Sequence, residues 1–67
     1  MMHIICTAIV EDERQRKNLC DCVGILGEKP CVSGNTVCVE YEGAISTIAK
    51  LIELFEQYPV HGISTLS

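Results

Sequence analysis

Cysteines, histidines and carboxylates are the side chains of this 67-residue chain that can do chemistry. Cys20-Asp21-Cys22 is the most conspicuous pair. Zinc and redox motifs normally separate their cysteines by two residues, and here only one intervenes. On a helix, residues two apart point in different directions, so these thiols should not share a metal. The pattern places Cys22 towards the core and Cys20 partly exposed. Cys31 and Cys38 flank Ser33-Gly34-Asn35-Thr36. Gly-Asn between two β-prone pieces predicts a two-residue hairpin of type II′, with glycine first. Counting outward pairs Ser33 with Thr36, Val32 with Val37 and Cys31 with Cys38. The two thiols then oppose each other at a hydrogen-bonded position, where the strand separation is wide for a relaxed disulfide. A thiol-based zinc or copper site on Cys31 and Cys38, with His3 or His61, is the alternative functional reading.

The remaining candidates are weaker. His3 and His61 fall on the first and last predicted strands, which are neighbours in the expected sheet, and form a solvent-facing cross-strand pair if they lie on one face. Glu40 and Glu42 share a strand face, but two carboxylates without a partnered base or pocket do not make an acid/base site. The sequence holds no nucleophile motif, phosphate-binding glycine loop or dinucleotide fingerprint. It therefore predicts a non-enzymatic chain with no cofactor.

The elements that must position these residues are legible from periodicity. His3 to Val10 is a continuous apolar run with β-branched residues, the pattern of a central strand. Leu19, Val23 and Leu26 form one stripe of a helix predicted from Asp12 to Leu26, closed by Gly27. Acids precede bases there, and Glu13 with Lys17 is a favourable i, i+4 pair. Thr36 to Glu42 alternates, with Val37, Val39 and Tyr41 on one face, joined by Val32 across the hairpin. A second helix is predicted from Ala44 to Tyr58, with Ile45, Ile48, Ala49, Ile52 and Phe55 inward and Leu51 and Leu54 flanking. Pro59 stops it by disfavouring helical backbone at Tyr58. Val60 to Leu66 reads as a last strand.

The order β, α, β, β, α, β predicts an α+β chain of the ferredoxin-like type: one domain, a four-stranded antiparallel sheet with two helices on one face. The stretch from Asn35 through Ile63 resembles the corresponding part of heavy-metal-associated (copper-chaperone) domains. The resemblance implies that topology. Those domains carry a Cys-x-x-Cys in the loop after the first strand, where this chain has Glu11-Asp12-Glu13-Arg14, so the metal function is not implied.

Size and charge bound the function. A chain this short buries only ~60% of its extended-chain surface and gains from a disulfide, a metal or a partner subunit. Five cysteines cannot all pair internally. The net charge of −4 argues against nonspecific binding to nucleic acid or anionic membrane. No apolar run approaches the ~18 residues of a transmembrane helix, and Met1 to Val10 lacks the features of a signal peptide. The expectation is a cytoplasmic protein with reduced thiols.

Helices cannot cover both faces of so small a sheet. The open face is predicted to carry Cys31, Ser33, Thr36, Cys38 and Glu40 with Ile5, Thr7 and Ile9 from the first strand; the opposite phase would place Ile4, Cys6, Ala8 and Val10 there. An apolar strip on an open face marks an interaction surface. The sequence thus predicts a small acidic module that binds another protein and forms a homodimer through the sheet face or the edge strand Val60 to Leu66. An inhibitor of a host enzyme, encoded by a phage or mobile element, has this size and charge.

Overall fold

The computed structural model describes residues 2–66. Strand β1 (Met2–Ile9) leads into helix α1 (Glu13–Ile25), then β2 (Cys31–Ser33), β3 (Thr36–Gly43), helix α2 (Ile45–Phe55) and β4 (His61–Leu66). The sheet order is β2-β3-β1-β4, and every neighbouring pair is antiparallel. This is the ferredoxin-like α+β fold.

Local chemistry sets the boundaries. Asp12 caps α1, its carboxylate oxygen Oδ1 accepting from the Gln15 amide at 3.0 Å. At the other end Gly27 takes φ +86. The Glu28 amide donates to the Val23 carbonyl and the Gly27 amide to the Gly24 carbonyl, which is the Schellman closure. Lys17 pairs with Asp21 at 3.3 Å, one turn onward rather than back to Glu13. Helix α2 stops at Phe55, earlier than the predicted Tyr58. The chain runs on in tight turns, the Gln57 amide bonding Leu54 and the Tyr58 amide bonding Phe55, before Pro59.

The hairpin register is the predicted one: Ser33 with Thr36, Val32 with Val37, Cys31 with Cys38. Gly34 has φ +59, while Asn35 keeps a negative φ, as a type II′ turn requires.

The core lies between the sheet and the helices. Ile4, Cys6, Ala8 and Val10 are buried, with Val37, Val39, Leu19, Val23, Ile48, Leu51 and Phe55. This settles the phase of β1: Ile5, Thr7 and Ile9 point away from the helices. It also corrects the face of α2. Ile45 is 70% exposed, Ala49 is exposed and Ile52 is only partly buried, whereas Leu51 is fully buried. The apolar set of α2 runs more than halfway round the helix, so its sequence pattern did not single out the stripe centred on Ile48, Leu51 and Phe55. Val32 sits in the predicted register yet is 48% exposed, because β2 is a three-residue edge strand at the margin of the helical cover. Cys22 is exposed and Cys20 partly buried against the core, the reverse of the expected order. Both flank the Leu19–Val23 stripe of α1, on opposite sides, and the core packs against the Cys20 side.

Two contacts tie the loops down. Arg16 donates from one guanidinium nitrogen to the carbonyls of Val10 (2.9 Å) and Glu11 (3.3 Å) and to Asn35 Oδ1 (3.1 Å). It thereby fastens the β1–α1 turn to the tip of the β2–β3 hairpin, alongside the Val10 amide bond to the Asn35 carbonyl. The Tyr41 hydroxyl accepts from the Ala44 amide and lies so close to Gly43 that a Cβ there would sit 2.6 Å from it.

Candidate interaction face and its thiols

The open face is built by register. Directly opposed residues share a face. Ile5 stands opposite Glu40 and Ser64, Thr7 opposite Cys38 and Gly62, and Ile9 opposite Thr36. Thr36 in turn stands opposite Ser33, and Cys38 opposite Cys31. Every residue predicted for this face is therefore brought together on it: Ile5, Thr7, Ile9, Cys31, Ser33, Thr36, Cys38 and Glu40.

The face is apolar along its middle. Ile9 is 49% exposed, and Ile5, Thr7 and Cys38 are half-buried by their neighbours alone. Leu66, 56% exposed, joins them across from His3. The rim is polar. His3 Nε2 lies 3.3 Å from Glu40 Oε1, a diagonal cross-strand pair. The Thr7 hydroxyl donates to the Gly62 carbonyl at 3.4 Å. The sequence reading offered Val60 to Leu66 only as an edge strand and did not place Ser64 and Leu66 on the open face. Only the β1–β4 register assigns those residues to a face, and no turn joins these strands to betray it.

The histidines separate. His61 pairs with Ala8 on the helix side of the sheet and hydrogen-bonds the Tyr58 carbonyl through Nδ1, while His3 lies on the open side at the far end of β1. Sheet position also parts both from Cys38. His3 is four residues along β1 from Cys38's partner Thr7, or ~13 Å at the strand rise. The thiols at 31 and 38 thus stand without an imidazole, and two ligands are half of a structural zinc set. Among the described residues, no group of three or more His, Cys, Asp or Glu side chains converges to hold a metal. The loop after β1 is held by Arg16 of α1, which donates to its Val10 and Glu11 carbonyls. All five cysteines are free thiols. Burial raises the Cys6 thiol from 9.0 to about 11, with a smaller push from Cys38, so it stays protonated at neutral pH.

A second apolar feature lies on the helix layer. Ile25, 84% exposed, Leu26 and Leu54 line a shallow groove between α1 and α2, edged by Cys22, Lys50, Glu53 and Gln57. Sequence reasoning missed it, because Ile25 falls outside the periodic stripe of α1. None of the described helices is long and apolar enough to cross a membrane.

No known protein family matches the chain, and neither the curated proteins nor the solved structures contain a significant match. The functional reading rests on the geometry.

Proposed function

We propose that this chain is a non-enzymatic protein-binding module whose contact surface is the open face of its sheet. The observation that carries the reading is the one-sided architecture. Both helices pack on one face, and the other presents Ile5, Ile9 and Leu66 among Thr7, Thr36, Cys38 and Ser64, with His3, Glu40 and Ser33 at the rim. A cross-section of that kind, apolar within and polar around, is the anatomy of a protein contact. A second copy fits the face by two-fold symmetry, since each copy offers the same patch. The homodimer is then the form without a partner, and a foreign protein competes for the same surface. Such a chain acts by masking, as the inhibitor of a larger enzyme does. The net negative charge sets the choice of partner against nucleic acid and anionic membrane.

The test is comparative capture from the source cells with tagged wild type, Ile5→Lys and Ile45→Lys. Ile45 is exposed on the helix layer and serves as the control. The reading expects one protein to be retained by wild type and Ile45→Lys and lost with Ile5→Lys. Retention by all three would overturn it.

A further inference from the structure

We propose that Cys31 and Cys38 form a thiol–disulfide exchange site for small disulfides such as glutathione disulfide. The proposal goes beyond the contact surface, because its chemistry needs no partner protein.

The pairing singles these two out. They are directly opposed across the β2–β3 hairpin, Cys31 exposed on the edge strand and Cys38 half-buried beside β1. Exchange needs an accessible thiol to take the incoming sulfur and a second thiol within reach to resolve the adduct. The other three cysteines fail one requirement each. Cys6 is fully buried and cannot be reached. Cys20 is partly buried against the core. Cys22 is exposed, but its neighbour Cys20 points elsewhere on the helix.

The steps balance without a further reagent. The Cys31 thiolate attacks one sulfur of glutathione disulfide, forms a mixed disulfide and releases one glutathione thiolate, which takes up a proton. The Cys38 thiolate then attacks the Cys31 sulfur, forms the intramolecular disulfide and releases the second glutathione. Two protein thiols give up two electrons and two protons, and one glutathione disulfide becomes two glutathiones.

The register also makes the product easy to reverse. Opposed Cβ atoms at a hydrogen-bonded position stand ~5.5 Å apart, against ~3.8 Å in a relaxed disulfide. Closing the bond draws the strands together, and strain makes the bond more reducible. Three-residue β2 lies at the sheet edge and can follow.

The test equilibrates the folded, reduced protein with glutathione disulfide, quenches with iodoacetamide and counts thiols by mass spectrometry with peptide mapping. Wild type should lose Cys31 and Cys38 together, joined to each other and free of glutathione, and regain both when reduced glutathione is restored. Cys38→Ser should accumulate a glutathione adduct on Cys31 at least tenfold above wild type. A wild type that holds a stable adduct on Cys31 with Cys38 still free would overturn the proposal, as would a disulfide through Cys22. Cys38 lies on the open sheet face outside the core, and circular dichroism of Cys38→Ser checks that the fold is kept.

Discussion

Replacing Leu51 by alanine should destabilise the fold far more than replacing its neighbour Ile52, although both are large aliphatic residues on one helix. Leu51 is fully buried and Ile52 only partly. Leu51→Ala removes three buried carbon groups at ~0.8 kcal/mol each, or ~2.4 kcal/mol of transfer free energy. The cavity left among the core side chains adds to that, for a total of ~3–4 kcal/mol. Ile52→Ala loses about half the transfer term and opens its space to solvent, so ~1 kcal/mol is expected. A domain of this length has ~3–10 kcal/mol of stability in all. Urea unfolding followed by circular dichroism reads the difference directly. With a slope near ~1 kcal/mol per molar urea, Leu51→Ala should lower the midpoint by ~3 M or leave the chain unfolded, and Ile52→Ala by ~1 M. An Ile52→Ala midpoint at or below that of Leu51→Ala would show that α2 packs on its other stripe, and the core described above would be wrong.

Arg16→Ala should cost ~1.5–3 kcal/mol by thermal melt, because one charged group serves three acceptors, and hydrogen exchange at Val10 should rise. Gly43→Ala should lower the melting temperature, through the collision with the Tyr41 ring and through the strain of a side chain at φ +154; an unchanged melt would mean that both the ring and the backbone relax freely. The stability that Cys6 contributes should be complete below pH 9 and be lost between pH 9 and about 11. The unfolded Cys6 thiol ionises first, while the buried one resists. Tyr58, held up by burial and then by Cys22 and Cys20, adds to the same loss. Urea midpoints across that range should lose much of their slope in Cys6→Ala.

The parts of the fold governed by local chemistry were legible in the sequence. Gly34-Asn35 set the hairpin turn and, through it, three cross-strand pairs. Asp12 and Gly27 marked the two ends of α1 within a residue. The alternation of β3 and the turn register together placed Cys31, Ser33, Thr36, Cys38 and Glu40 on one face. What tertiary packing decides was not legible. The β1 run is apolar on both sides, so its phase follows only from which side the helices cover. The α2 stripe could turn towards Ile52 or Leu51, and the contact with β1 chose Leu51. The separation of His3 from His61 depends on the β1–β4 register, which joins distant segments with no turn between them.

The most direct test of the open face is sedimentation velocity across the micromolar range for wild type, Ile5→Lys and Ile45→Lys. Ile5 sits mid-face between Glu40 and Ser64, where a lysine can extend its ammonium to solvent without unfolding the strand. A two-fold contact through this face predicts a concentration-dependent dimer for wild type and Ile45→Lys, and a folded monomer for Ile5→Lys. A wild type that sediments as a monomer at every concentration would contradict self-association, and a dimer that survives Ile5→Lys but not Ile45→Lys would move the contact to the helices.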